Sequence, residues 1–106
     1  MPASELIYDW NRVEPTFDRP ARRVSFDDET LRDGLQSPSV CEPSVEKKIE
    51  LLHLMNALAI DTADIGLPGA GGTHAEGVER LAREIVEQKL RIRPNCAART
   101  HQNDIR

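Results

Sequence analysis

The residues best suited to chemistry lie between positions 28 and 38, which read Asp-Glu-Thr-Leu-Arg-Asp-Gly-Leu-Gln-Ser-Pro. Arg32 and Asp33 are adjacent there, just before Gly34, where we expect a strand to end and the chain to turn. A carboxylate in that position can ligate a hard divalent cation. A neighbouring guanidinium can hold a carboxylate or a developing enolate oxygen by paired hydrogen bonds. The same spacing also fits an Arg–Asp ion pair at the surface of a strand end. Such a pair contributes little to the stability of a protein.

Alternating strands and helices are predicted to position these residues. Residues 23–27 alternate well enough for a first strand that continues towards Thr30-Leu31. Ser44 is a plausible N-cap for a helix over 45–59. That helix has an apolar stripe at helical spacing: Val45, Ile49, Leu52 and Met55, widened by Leu51, Leu54 and Leu58. A second strand is predicted over 59–66, because it is short and partly β-branched.

The second half of the chain repeats this order. A glycine-rich loop over 66–72 matches no phosphate-binding motif and is interpreted as a loop between strand and helix. Thr73 to Glu76 forms a capping-box pattern that opens a second helix ending near Lys89. This helix is amphipathic through Val78, Leu81, Ala82, Ile85 and Val86. A third strand is predicted over 90–97, although Pro94 counts against it because proline cannot donate a hydrogen bond within a sheet. A third helix is predicted to begin near the last residue.

This order of elements indicates an α/β fold with parallel strands. Parallel strands need both faces covered, or closure into a barrel. About two and a half βα units do neither, and a complete (β/α)8 barrel takes roughly 200 residues or more, whereas the chain has 106. We therefore expect residues 23–106 to be the N-terminal part of a TIM-type (β/α)8 barrel.

Residues 1–22 differ in composition from the rest and are predicted to form an N-terminal arm. Three prolines, at positions 2, 15 and 20, exclude a long helix. Three of the four aromatic residues, Tyr8, Trp10 and Phe17, lie in this arm. They favour docking against the domain body or a second subunit, although a loosely tethered tail fits equally.

The segment beginning at Asp28 resembles the signature Asp-x-Thr-Leu-Arg-Asp-Gly-x-Gln. This signature is found in the family that contains 2-isopropylmalate synthase, homocitrate synthase, citramalate synthase and 3-hydroxy-3-methylglutaryl-CoA lyase. Every fixed position is matched: Asp28, Thr30, Leu31, Arg32, Asp33, Gly34 and Gln36. The resemblance continues more weakly to about Ala98, and it implies a (β/α)8 barrel with one divalent metal ion.

The resemblance also implies roles for individual residues. Asp33 matches a metal ligand, Arg32 matches the arginine that steadies the substrate carbonyl or its enolate, and Gln36 matches a polar residue beside the site. Asp64 occupies the position of a glutamate that pairs with the arginine. Because Asp64 is one methylene shorter, we expect contact with Arg32 through a water or a backbone shift, or else a purely local role in capping the loop. The metal, Mg, Mn or Zn, would polarise a 2-oxo acid.

Other polar residues are assigned more weakly. Arg99 follows the third strand and either reaches the substrate carboxylate or is exposed to solvent. The family completes its metal site with a His-x-His pair, which His53, His74 and His101 do not form, so we expect these to be structural. By itself the chain is therefore expected to be inactive. Cys41 and Cys96 lack metal-binding spacing and are interpreted as ordinary buried or half-buried thiols.

Composition excludes several classes of function. Fourteen basic and eighteen acidic residues give a net charge of −4, which offers no footprint for nucleic acid. Neither a membrane span nor a targeting segment is indicated, so a cytoplasmic location is expected.

The function predicted from the resemblance is an acyl transfer. The enzyme would condense acetyl-CoA with a 2-oxo acid to give a 2-alkylmalate, and the full-length protein would be a homodimer. Ser37-Pro38 after the glutamine resembles the synthases, whereas Gly34-Leu35-Gln36 is also typical of the lyases. A lyase running the related cleavage is therefore one alternative, and a non-catalytic truncated product is another.

Overall fold

The computed structural model describes Tyr8 and residues 22–105. In this part of the chain three short strands alternate with helices: β1 (Asp27–Asp28), α1 (Val45–Ala57), β2 (Thr62–Asp64), α2 (Gly72–Glu87), β3 (Arg93–Asn95) and α3 (Gln102–Ile105). Two 3₁₀ helices, Gly34–Gln36 and Pro68–Ala70, lie in the loops that follow β1 and β2. No helix among these residues is long and apolar enough to cross a membrane. Apart from Tyr8 and Arg22, the predicted N-terminal arm lies outside the described residues.

The strands form one parallel sheet in the order β1-β2-β3. Asp27 aligns with Thr62 on β2, and Asp64 aligns with Asn95 on β3. Strand–helix alternation is therefore confirmed and is consistent with part of a barrel, although each strand is shorter than predicted. The carboxyl ends of all three strands meet at one edge, which is where a barrel carries its active site.

Pro94 lies in the middle of β3 and is tolerated there because of its orientation. Its neighbours face β2: the Arg93 N–H donates to the Asp61 carbonyl, and the Asn95 carbonyl accepts from Ile65 N–H. Since successive residues of a strand point their backbone groups to opposite sides, Pro94 faces away from β2. Its missing N–H therefore removes no bond between the two strands.

The core fills the space between one face of the sheet and the two long helices. It is formed by Leu31, Leu52, Met55, Ala63, Ile65, Leu81, Ile85 and Ile92, each no more than 7% exposed. The stripe predicted on α2 is confirmed at Leu81 and Ile85 but not at Val86, which is exposed. Leu54 of α1 and Leu58, directly after it, are likewise exposed rather than buried. Leu52 and Met55 are the buried residues of α1, and Ile49 and Leu51 pack against the core beside them while partly exposed.

The opposite face of the sheet is polar. Asp27, Thr62 and Asn95 are joined there, because the Asp27 Oδ1 atom accepts from Thr62 Oγ1 at 2.6 Å and from Asn95 Nδ2 at 2.8 Å. These two hydrogen bonds lower the pKa of Asp27. One carboxylate thus ties the three strands together on the face that the helices do not cover.

Helix starts agree only in part with the sequence signals. Ser44 caps α1 as predicted, since its Oγ accepts from the Lys47 N–H at 3.3 Å. The capping box at Thr73 is wrong: α2 begins at Gly72, and its N-cap is Gly71, with a φ of 75° and no side-chain bond. A positive φ that glycine adopts at little cost lets the chain enter the helix before Thr73, which then lies in the first turn.

Both long helices end in the same motif. After α1, Ile60 N–H donates to the Met55 carbonyl and Ala59 N–H to that of Asn56. After α2, Leu90 and Lys89 make the equivalent bonds to helix carbonyls. These are Schellman motifs, which place one residue in the left-handed region. Here that residue is not glycine: φ is 61° at Ala59 and 52° at Lys89.

Candidate active site

The turn after β1 presents Arg32 to the carboxyl edge of the sheet. Asp28 opens the turn, because its Oδ1 accepts from the Thr30 N–H at 2.8 Å. The Glu29 carbonyl then accepts from both the Arg32 and Gly34 N–H groups, at 3.3 and 3.1 Å. Leu31 is buried in the core at 4% exposure, whereas the neighbouring Arg32 side chain is 25% exposed.

Arg32 makes a direct ion pair with Asp64 at the end of β2. The distance from Arg32 Nε to Asp64 Oδ2 is 2.6 Å, and the Asp64 side chain is 4% exposed. The contact is therefore direct and needs no bridging water, although the shorter side chain of aspartate had put direct contact in doubt. β1 and β2 are neighbours in the sheet, and the long arginine side chain spans the remaining distance, so the shorter carboxylate suffices.

Asp64 also caps the loop that follows it. Its second oxygen, Oδ1, accepts from the Gly66 N–H at 3.1 Å. Gly66 has a φ of 142°, and a Cβ at this position would lie 2.7 Å from Val78 Cγ2, so glycine is required. The two roles considered for Asp64, partner of the arginine and cap of the loop, are both fulfilled, one by each oxygen.

Glu29 provides a second carboxylate to the same guanidinium. Its Oε2 lies 2.6 Å from Arg32 Nη2, and the Glu29 side chain is 44% exposed. The hydrogen bonds that Arg32 donates to Asp64 and Glu29 raise the pKa of Arg32. Arg32 lowers the pKa of Glu29, but the carboxylates of Asp27 and Asp64 and partial burial outweigh it, and the net shift is upward.

Asp33 is the residue predicted to bind metal, and it is open to solvent. Its side chain is 71% exposed, and its Oδ1 lies 3.8 Å from Arg32 Nη1. Among the described residues no three His, Cys, Asp or Glu side chains are grouped so that they could hold a metal ion. Asp33 is a suitable hard oxygen donor, but the described residues do not complete a metal site.

The three histidines take up separate positions. His53 Nε2 lies 2.7 Å from Glu84 Oε1 and links α1 to α2. His101 Nδ1 accepts from the Asn103 N–H at the start of α3. Both contacts are structural, as expected, whereas His74 is exposed and lines a cavity.

This cavity, of about 220 Å³, lies beside Arg32 between the loop after β1 and helix α2. Its walls are mixed: apolar side chains such as Leu31, Ile65 and Val78 alternate with polar and charged ones, among them Glu42 and Lys48. Gln36, in the 3₁₀ helix, lines the cavity together with Arg32. The two residues predicted to act next to each other therefore border one space.

Arg99 contacts both the loop after β2 and the segment that follows β3. Its Nε and Nη2 atoms lie 2.9 and 3.0 Å from the Asp104 carboxylate, and Nη2 also donates to the Gly69 carbonyl at 3.2 Å. The Asp104 side chain is 1% exposed, whereas that of Arg99 is 52% exposed. Hydrogen bonds from Arg99 lower the pKa of Asp104 to about 2. The structure thus pairs Arg32 with Asp64 and places Gln36 on the cavity that Arg32 borders, whereas Arg99 lies in a separate ion pair.

The cysteines are not buried as predicted, since Cys41 and Cys96 are both exposed free thiols. Both lie in loops outside the helix–sheet core, Cys41 before α1 and Cys96 directly after β3. Partial desolvation, followed by the negative charge of Asp64, raises the pKa of the Cys96 thiol.

Two polar residues of the site were missed by the sequence argument. Glu29 stands at the unspecified position of the signature, and only its i,i+3 spacing from Arg32 could have indicated the pair. Asp27 directly precedes the signature, and its partners Thr62 and Asn95 are 35 and 68 residues away in sequence, so no local pattern reveals them.

Comparison with known proteins gives consistent matches. Residues 23–106 match the family described as HMGL-like. A 2-isopropylmalate synthase of Pyrococcus furiosus is 40% identical over 65 residues, which cover 61% of this chain and 13% of that protein. The enzyme of the same name from Xanthomonas campestris pv. campestris is 32% identical over 84 residues, 79% of this chain and 16% of that protein.

The chain thus spans less than one fifth of the length of these relatives. No solved structure gives a significant match. The family match extends over more than three quarters of the chain and includes the turn that carries Arg32, Asp33 and Gln36. The chain belongs to the HMGL-like family.

Proposed function

We propose that this chain forms the first βα units of a (β/α)8-barrel acyltransferase that condenses acetyl-CoA with a 2-oxo acid to a 2-alkylmalate. The observation that carries the proposal is the Arg32–Asp64 ion pair at the carboxyl ends of two adjacent parallel strands. Barrel enzymes place their reacting groups at that edge. The relatives named 2-isopropylmalate synthase support acyl transfer to a 2-oxo acid.

Arg32 would bind the oxygen on which negative charge develops. Asp64 accepts a hydrogen bond from the Nε–H of Arg32, and Glu29 accepts one from Nη2. A guanidinium has five N–H donors, so further donors remain for a substrate oxygen. Because Asp64 is almost fully buried, the guanidinium is held in place before substrate binds, which is the condition for effective stabilisation of an enolate or alkoxide.

A divalent cation would act as a Lewis acid towards the 2-oxo acid. We propose Asp33 as one of its ligands, because its exposed carboxylate adjoins Arg32. Gln36, which lines the cavity beside Arg32, would hydrogen-bond the substrate. For Arg99 we retain substrate binding as a hypothesis, on the ground that half of its side chain is exposed. The homodimer and the cytoplasmic location expected from the sequence likewise stay predictions.

A direct assay tests the proposal in a full-length protein that contains this chain. CoA release from acetyl-CoA would be measured with a panel of 2-oxo acids, in parallel with cleavage of 3-hydroxy-3-methylglutaryl-CoA. We expect CoA release that depends on the 2-oxo acid. Cleavage without condensation would instead establish the lyase, and activity in neither assay would contradict an enzymatic function of this class.

Arg32→Lys connects this activity to the site. Lysine keeps the positive charge but loses the planar arrangement of donors, so we expect kcat to fall by tenfold or more with a much smaller rise in KM. Arg83→Lys is a matched control, because Arg83 pairs with Glu79 on the exposed face of α2. A rise in KM alone would make Arg32 a ground-state binding residue.

A further inference from the structure

We infer that Glu29 is a positioning residue, which fixes the orientation of the Arg32 guanidinium towards the reacting oxygen. The inference rests on the proposed function for the identity of that oxygen. The contact itself is given by the structure: Glu29 Oε2 lies 2.6 Å from Arg32 Nη2.

Two carboxylates restrain the guanidinium at two different nitrogens. Asp64 contacts Nε and Glu29 contacts Nη2, both at 2.6 Å. A single contact at Nε leaves the outer end of the side chain free to swing, because an arginine side chain has several rotatable bonds. A second contact at Nη2 fixes the plane of the group. The third nitrogen, Nη1, is then the one near Asp33, with 3.8 Å to Asp33 Oδ1.

The charges around Glu29 argue against a pair present only for stability. Exposed ion pairs three residues apart contribute little to the stability of a protein. Here the Glu29 carboxylate also lies near those of Asp27 and Asp64, and these raise its pKa against the effect of Arg32. Repulsion from two like charges offsets the gain from one cation. A carboxylate kept in such a place is better explained by the geometry it imposes on Arg32.

Glu29 reaches Arg32 through the local turn alone. The Glu29 carbonyl accepts the Arg32 and Gly34 N–H groups, so the backbone of residue 29 is fixed by the same turn that carries Arg32. Its side chain is 44% exposed and is not one of the buried residues that form the core. Removal of the side chain should therefore change the orientation of Arg32 without unfolding the strand end.

Steady-state kinetics of a full-length protein containing this chain test the role. We expect Glu29→Ala to lower kcat about tenfold to a hundredfold with little change in KM, since small misplacements of a reacting group have effects of this size. Glu29→Gln keeps the length and an oxygen acceptor, and it should restore part of the loss. Glu79→Ala is the matched control: it removes an exposed Glu–Arg contact of 2.5 Å to Arg83 on α2 and should leave both constants unchanged.

A second measurement separates this inference from the proposed function. Nuclear magnetic resonance of 15N-labelled arginine reports the mobility of the Arg32 Nε–H group, assigned by its loss in Arg32→Lys. We expect a sharp, slowly exchanging signal that broadens or exchanges faster in Glu29→Ala but not in Glu79→Ala. If this change occurs in a protein without condensation activity, Glu29 positions Arg32 and the proposed function is wrong. An unchanged signal, or an unchanged kcat in an active enzyme, would overturn the inference.

Discussion

At the scale of single residues, the site is a guanidinium held between carboxylates from two chain segments. Asp64 supplies the buried contact and Glu29 the partly exposed one. The net effect is to raise the pKa of Arg32, so its guanidinium stays charged at every pH near neutrality. Any pH dependence of the proposed activity is therefore expected to come from groups other than Arg32.

Asp33→Ala tests the metal ligand at this scale. In a full-length protein we expect the affinity for a divalent cation, measured by calorimetry, to fall at least tenfold, because a carboxylate ligand is lost. Stability should change little, since the side chain is 71% exposed. Glu76→Ala, another exposed carboxylate, is the control. Metal affinity equal to that of the unsubstituted protein would remove Asp33 from the coordination sphere.

What the sequence predicts at this scale is the identity of the residues rather than their contacts. The signature singles out Arg32, Asp33 and Gln36, because these stand at fixed positions. It does not reveal the direct reach of Asp64 to Arg32, which depends on strand register and on the length of the arginine side chain. Contacts across strands are set by the sheet, and a local pattern does not contain that information.

At the scale of elements, Arg99 links the loop after β2 to the segment that follows β3, by a hydrogen bond to the first and an ion pair within the second. Asp104 of α3 accepts from the Arg99 N–H at 2.8 Å and from its guanidinium, while Arg99 also binds the Gly69 carbonyl. The guanidinium of Arg99, one of the groups expected to reach the substrate carboxylate, is thus engaged in contacts within the chain. The sequence places Arg99 correctly after the third strand, but its partner lies in a four-residue helix whose packing no periodicity predicts.

The depressed pKa of Asp104 gives this contact a defined pH dependence. The folded pKa is about 2, below the value of about 3.9 in an unfolded chain. Its stabilising contribution is therefore complete above about pH 4–5 and is lost as the pH falls through 2. We expect hydrogen exchange of the Arg99 N–H to accelerate in that range beyond the intrinsic rate. In Asp104→Asn the acceleration should be absent, and the same profile in both proteins would contradict the assignment.

The helix ends offer a test of stability. Lys89 and Ala59 adopt a positive φ, which costs a residue with a side chain about 1–2 kcal/mol, partly offset by the greater entropy of glycine in the unfolded chain. We expect Lys89→Gly to raise the free energy of unfolding by about 0.5–1 kcal/mol. Gln88→Gly, one residue earlier at a φ of −89°, should lower it. Chemical denaturation of a full-length protein would measure the free energy of unfolding of both variants. Destabilisation by Lys89→Gly would contradict the argument.

At the scale of the whole molecule, the described residues form one layer of helices on one face of a small sheet. β1 and β3 each pair with β2, so each has a second edge without a partner strand among the described residues. The uncovered face carries polar groups such as Asp27, Thr62 and Asn95. The order of strands and helices and the buried face of α2 could be predicted from hydrophobic periodicity. The polar face of the sheet could not be predicted in this way. In a three-residue strand, the alternation of polar and apolar residues alone does not say which face the helices cover.

This architecture makes a prediction for the 106-residue chain expressed alone. Val24, Phe26, Leu54, Leu58 and Val86 are each more than half exposed, and two strand edges are open among the described residues. Open edges and apolar surface favour association with other chains. We therefore expect the isolated chain to self-associate, with helical circular dichroism but no sharp thermal transition.

Size-exclusion chromatography and a thermal melt followed by circular dichroism would measure this. Leu54 and Leu58 lie on the exposed side of α1, at 61% and 76% exposure, so Leu54→Glu with Leu58→Glu should reduce association if that surface drives it. The same double substitution should not produce a cooperative melt, because it adds nothing to the core. A monodisperse monomer of the unsubstituted chain with a cooperative transition would contradict the prediction. Such a result would show that the eight buried side chains between the sheet and its helices suffice to stabilise an autonomous domain.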